Sequence, residues 1–262
     1  MKASLANLAD KCMHTNVCKE TYMSMTQSSS AEAGPTVLQI AAAVGFALSM
    51  MVLGYVKIGV PPVVIVGGSS IAGLALWLRT YRNGSIAPEI ILPPFLLTVA
   101  GLEVHMGEEY LSGFGPAMSR LFDISWSEFG FLLIFTFVGP VLYALTALGL
   151  FWRVRLAGFL AWFIFIGPGV AEFTHFIFPL IKPAIGPHDV GVLTEAVSNG
   201  RIIANMQNYW FQVTGRYYFP GMYTAILPMI PGIYGIRAVL RADRERRHRR
   251  DRTTSQPIPA SG

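Results

Sequence analysis

Six runs of mostly apolar residues, each close to the length of a bilayer crossing, decide what this chain can be. A helix needs about 20 such residues to cross a hydrocarbon core of about 30 Å at 1.5 Å per residue. Read in that window, the spans fall at about residues 37–55, 61–78, 90–105, 129–151, 156–178 and 218–240. Lipid offers no partner for backbone N–H and C=O groups, so runs of this length satisfy them internally, as helices. The expected fold is all-α: a polytopic membrane helix bundle of about six transmembrane helices with short loops. Only 13% of the 262 residues are charged, against about 25% in soluble domains, and the mean hydropathy is +0.48.

The few charges are unevenly placed. Arg241, Arg244, Arg246, Arg247, Arg249, Arg250 and Arg252 crowd the segment after the sixth span, so residues 241–262 are expected to form a basic cytoplasmic tail. A basic stretch beside a span is a topology signal and an attraction for anionic lipid. No aromatic or groove-reading pattern accompanies it, so nucleic acid is not an expected partner despite the net charge of +5. Arg79 and Arg82 lie between spans two and three, and Arg153 and Arg155 between four and five. These are alternate connections, so they share one side with the tail, and the positive-inside rule makes that side cytoplasmic. Both termini are expected there, in a bacterial plasma membrane. The opposite connections are poor in Lys and Arg, apart from Lys182, Arg201 and Arg216 in the long loop at about 179–216.

Residues 1–35 read as a disordered segment ahead of a bundle at 36–240. No apolar run follows the early lysines as a signal peptide would require. Met23 and Met25 precede a polar Thr-Gln-Ser tract and offer a later translation start. Cys12 and Cys18 have neither zinc-knuckle nor CxxC spacing.

An ionisable side chain inside a span costs about 2.5–3.5 kcal/mol on the insertion scale, so it marks a functional site by default. Span three ends in Glu103, His105, Glu108 and Glu109; span five carries Glu172 and His175; span six opens with Tyr218-Phe219-Pro220-Gly221. Spans three and five both start at the arginine side. Glu172 stands 17 residues past Arg155, hence about 25 Å up a helix, at the level where span three ends and span six begins. His105 shares a helix face with Glu108 (i,i+3) and Glu109 (i,i+4), and Glu172 with His175 (i,i+3). Mixed imidazole and carboxylate donors projecting into a helix bundle suit one or two divalent ions, zinc, iron or manganese. The expected ligands are His105, Glu108, Glu172 and His175. Glu109 is a further ligand or general base, Tyr218 a proton donor, and Glu103 a weaker candidate off the shared face. His188 and Asp189 read as part of a Gly-Pro turn in the long loop.

The motif His105-Met106-Gly107-Glu108-Glu109, a later histidine at His175 and Tyr218-Phe219-Pro220-Gly221 together resemble the HXXEE family of integral membrane proteins, whose function is uncharacterised. The resemblance spans about residues 90–235. It implies a membrane protein with these residues at its site and names no reaction.

The expected activity is that of a metal-dependent membrane enzyme, a hydrolase or oxidoreductase, acting on a lipid-like or hydrophobic substrate near the outer leaflet. The alternatives are a metal-free acid–base isomerase and a proton-coupled transporter. Against the transporter, no inverted repeat is visible and the arginine-side half carries no comparable intramembrane polar set.

Overall fold

In the computed structural model, residues 34–124, 126, 128–185, 192–198 and 201–254 are described. Thr36 opens the first helix with a capping box, its hydroxyl accepting from the Gln39 N–H while the Gln39 side chain accepts from the Thr36 N–H. Helix α1 (Val37–Lys57) returns as α2 (Val60–Thr80) through Ile58 and Gly59, whose φ of 110° only glycine adopts without strain. Helix α3 (Pro88–Ser112) starts on a proline, where the missing N–H costs nothing, and ends on a left-handed Gly113. The short α4 (Phe114–Phe122) follows at once.

The next two spans are not uniform helices. The fourth runs from α5 (Glu128–Leu132) through a π turn (Leu133–Val138) into α6 (Gly139–Phe151). The fifth runs from α7 (Arg155–Ile164) through a π turn (Phe165–Gly169) into 3-10 turns at Val170–Phe176 and Phe178–Leu180. A proline lies at each break, Pro140 and Pro168. Proline removes an N–H and clashes with the carbonyl four residues back, so the α ladder widens there.

The long loop carries secondary structure of its own among the described residues. It contains an antiparallel hairpin of β1 (Val192–Ser198) and β2 (Arg201–Gln207), followed by one helical turn, α8 (Phe211–Thr214). His188 and Asp189 lie outside the described residues. Helix α9 (Ile226–Thr254) starts eight residues later than the expected 218, because the preceding segment is spent on turns around the site. It also continues unbroken through the arginine cluster, so the described part of the basic tail is helix.

The chain is thus a helical membrane bundle. Among the described residues, five helical segments are long and apolar enough to cross a membrane: Val37–Lys57, Val60–Thr80, Pro88–Ser112, Gly130–Phe151 and Arg155–Leu180. Helix α9 is not among them, since its apolar part is short before the arginines begin.

Two contacts position the site. Helix α3 packs along α9, and at Gly101 the backbones nearly touch: a Cβ there would stand 2.7 Å from the Leu227 carbonyl. Helix α9 also packs on the π turn of the fifth span, Gly232 against Gly169, where a Cβ on Gly232 would stand 3.2 Å from the Gly169 Cα. Small residues allow this approach in lipid, where packing replaces the hydrophobic drive. Spans three and five therefore flank α9 and each other.

The arginine-bearing connections meet at one end. Arg246 donates to the carbonyls of Thr80 (2.7 Å), Gly84 (3.1 Å) and Ser85 (3.0 Å). Ser85 Oγ donates to the Arg153 carbonyl at 3.0 Å, Trp77 Nε1 to that of Arg155 at 2.8 Å, and Arg155 to that of Gly34 at 3.1 Å. Asp243, nearly buried, pairs with Arg247 at 2.9 Å. The loop after α2, the loop after α6, the start of α1 and the basic part of α9 are one hydrogen-bonded end. Burial holds the Arg246 guanidinium below its usual pKa, with the Asp243 carboxylate working against that shift. A core of Trp77, Phe95, Phe159, Trp162 and Phe165 fills the half nearer that end, and Phe114, Phe131, Phe178 and Phe219 anchor the other half.

Candidate metal centre

His105 lies 17 residues past Pro88, and Glu172 lies 17 past Arg155. Because Ser85 and Arg153 are tied together at the arginine end, equal runs of helix bring the two residues to one level. There four side chains converge, His105 and Glu109 from α3 with Glu172 and His175 from the 3-10 turn, and these four could hold a metal ion. One ligand atom from each lies within 4.8 Å of the others.

The individual separations are short. His175 Nε2 is 3.0 Å from Glu172 Oε2 and 3.1 Å from Glu109 Oε1. His105 Nε2 is 3.1 Å from Glu172 Oε2 and 3.5 Å from Glu109 Oε1. Tetrahedral ligands with bonds of about 2.1 Å stand about 3.4 Å apart, so the donor spacing suits a single small cation. The imidazoles cross nearly at right angles, with centroids 4.7 Å apart and planes at 85°. His105 and Glu109 are sealed from solvent, with side chains 0% and 3% exposed, while Glu172 keeps 15% and is the open edge.

The local helix types explain these pairings. In α3, residues four apart share a face. In a 3-10 turn, residues three apart eclipse, which stacks Glu172 directly under His175.

The far side of each imidazole is also held. His175 Nδ1 donates to the Pro220 carbonyl at 2.7 Å, and a carbonyl can only accept. His105 Nδ1 meets Thr224 Oγ1 at 3.2 Å, and that hydroxyl donates to Glu108 Oε2 at 2.6 Å, so it accepts from the ring. Both Nδ1 atoms thus carry hydrogen, and both Nε2 atoms are turned inward onto the carboxylates, each within hydrogen-bond reach of Glu172 Oε2. Such outer contacts fix tautomer and orientation in metal-ligating histidines. At these separations the imidazoles and carboxylates share protons or a cation between them.

Glu108, expected among the ligands, stands elsewhere. Its carboxylate accepts from the N–H of Thr224 (2.8 Å) and of Tyr223 (3.4 Å), from the Thr224 hydroxyl, and from the Tyr218 hydroxyl (3.2 Å). It fastens the turn that holds His105. Glu109 takes the ligand position that the sequence also allowed it. Tyr218 is bonded to Glu108 and does not reach the four donors. Glu103 is exposed on another face of α3, as its two-residue offset from His105 requires, and among the described residues it makes no hydrogen bond or ion pair.

The Tyr-x-Pro-Gly segment has a larger part than a helix start. Pro220 supplies the carbonyl for His175, and Gly221, at φ +86°, lies flat against the centre. A Cβ on Gly221 would stand 2.7 Å from His105 Cε1 and 2.8 Å from both Glu109 Cγ and His175 Cε1. Thr224 was missed by sequence reasoning, although with Tyr223 it brings hydroxyls into the start of a mostly apolar run. Phe114, Phe178 and Phe219 pack around His175, with ring centroids 5.3, 5.7 and 6.2 Å away, and close the centre on that side. No protein-family model, no curated protein and no solved structure matches this chain.

Proposed function

We propose that this protein is a metal-dependent membrane enzyme of the HXXEE type, in which His105, Glu109, Glu172 and His175 bind one divalent ion. The observation that carries the reading is the pair of Nε2 atoms, turned inward by the contacts at Nδ1, facing two carboxylates with all four donor atoms within 4.8 Å of one another. Two imidazoles and two carboxylates suit zinc, iron or manganese. A bound ion of this kind supplies Lewis-acid activation of water or a polar substrate group and, if it is iron, activation of oxygen.

The chain's own residues do the rest. Glu172, at the open edge, is the ligand a substrate meets first, and it is placed to accept a proton as bonds are made. His105, Glu109 and the aromatic wall hold the other positions dry, which strengthens every charge interaction inside. The centre lies inside a helical membrane bundle, away from the arginine-rich end, so the substrate is lipid-like or amphipathic and reaches it from the outer leaflet.

Elemental analysis of the purified protein tests this. The expected result is about one divalent ion per chain in the wild type and little in His105→Ala or His175→Ala. A wild type without stoichiometric metal overturns it. Activity that survives chelation would support the metal-free acid–base reading, which the same imidazole–carboxylate contacts favour through shared protons.

A further inference from the structure

Next to the centre, on the side away from the arginine-rich end, a groove of about 360 Å³ opens between the end of α3 and the segment leaving β2. Ser112, Gln207, Tyr209, Arg216 and Tyr218 are among its walls. Arg216 is the only formally charged side chain in that lining. Its side chain is exposed, and the guanidinium makes no hydrogen bond or ion pair among the described residues, while its backbone N–H donates to Thr214 Oγ1 at 3.2 Å.

The other polar groups are already committed. The Tyr218 hydroxyl donates to Glu108, and the Tyr209 hydroxyl donates to the Ser112 carbonyl at 3.0 Å and also contacts the Gln207 side chain. Burial raises the Tyr209 phenol above its usual pKa, so it stays neutral and adds no competing negative charge. The nearby Glu108 carboxylate is turned away, into the Tyr223–Thr224 turn. What the groove offers an occupant is a neutral, hydroxyl-lined wall with one uncommitted fork of donors, the geometry that pairs with phosphate or carboxylate.

A chain of hydrogen bonds links one wall of the groove to the centre. Tyr218 forms its wall and bonds Glu108, which bonds Thr224, which holds His105 Nδ1. An amphiphile whose headgroup rests on Arg216 therefore lies against the outermost member of the chain of contacts that orients a ligand.

We propose that this groove is the headgroup subsite of the enzyme, binding an anionic group of phosphate or carboxylate type through Arg216. The proposal rests on the reading above for its meaning as a substrate subsite, but anion binding itself does not need the metal. The test uses the full-length protein in nanodiscs of zwitterionic lipid, with decyl phosphate, decyltrimethylammonium and inorganic phosphate as probes measured by equilibrium dialysis.

Decyl phosphate is expected to bind saturably at one site per chain, and decyltrimethylammonium is not. Arg216→Gln should weaken decyl phosphate at least about tenfold, the loss of one charge-assisted contact. Arg216→Lys should keep most of the affinity, and metal content should be unchanged in both variants. Inorganic phosphate that competes at similar concentration would identify a free anion as the ligand; weak competition identifies a lipid headgroup. Equal binding of the two amphiphiles, or no change in Arg216→Gln, overturns the subsite. A wild type that purifies without stoichiometric metal yet binds decyl phosphate through Arg216 would overturn the metalloenzyme reading, by its metal content, and leave the anion site standing.

Discussion

The third and fifth spans each deliver one imidazole and one carboxylate to the same centre, yet they do so with different helices. In α3 the pair is His105 and Glu109, four residues apart on a regular α turn. In the fifth span it is Glu172 and His175, three apart on a 3-10 turn. Four α residues advance about 400°, some 40° past a full turn. Three 3-10 residues advance about 360° and eclipse. Each spacing is the one that best matches its own helix, so both pairs point inward together. The donor spacing and the helix type are a matched set, and the fifth span departs from α geometry where its two donors converge on the centre.

Gly221→Ala strikes both halves at once and is expected to have the largest effect. Its Cβ would collide with His105, Glu109 and His175, and its φ of +86° is strained for alanine. Overpacking of this kind costs about 1–3 kcal/mol, and left-handed backbone about 1–2 more. Metal affinity should fall at least about a hundredfold, read by competition with a chromophoric chelator. Retained affinity would mean that the Pro220–Gly221 turn is not a wall of the centre.

Glu108→Gln separates the halves, because only His105 depends on it. The amide accepts through one oxygen in place of two, so the Thr224 and Tyr218 contacts cannot all survive. Loss of an outer contact to a metal-ligating histidine typically costs 10- to 100-fold in affinity. The expected fall lies in that range, with the metal stoichiometry unchanged at saturation. A stoichiometric loss would make Glu108 a ligand after all.

Much of this centre was legible in the sequence because membrane chemistry makes polar residues conspicuous. His105, Glu172 and His175 stand out against apolar neighbours, and the run from Arg155 to Glu172 places the fifth span's pair at the level where the third span ends. The arginines after α2, after α6 and along α9 announced a common end, and the structure ties them together through Arg246 and Ser85. The choice between Glu108 and Glu109 was not legible. Both neighbour His105 on a helix, and which one meets the fifth span depends on where α9 packs, through Gly101 and Gly232.

The turn from Phe219 to Ala225 was equally hidden. Proline and glycine at the head of an apolar run look like a helix start, whereas here they serve His175 and the wall of the centre. The hairpin of β1 and β2 was overlooked although Asn199-Gly200 separates its strands, a strong two-residue hairpin signal. The 3-10 turn could be suspected only from Pro168.

Pro168→Ala tests that last link, because it alters the fifth span and leaves α3 alone. Proline inside a helix is unfavourable by about 3 kcal/mol relative to alanine. Its replacement restores an N–H that can bond the Ile164 carbonyl, and the π turn can then close toward an α ladder. Glu172 and His175, three apart, would fall about 60° out of line on an α-helix. The expected outcome is a variant with a higher thermal midpoint in the presence of chelator and a metal affinity lower by roughly tenfold. Chelator is essential to the first measurement, since a ligand that binds only the folded state adds its own stabilisation. Opposite signs for stability and affinity would show that the proline keeps the fifth span out of its most stable helix so that its ligands eclipse. Unchanged affinity would break the match between spacing and helix type, and the 3-10 turn would then be a by-product of packing against α9.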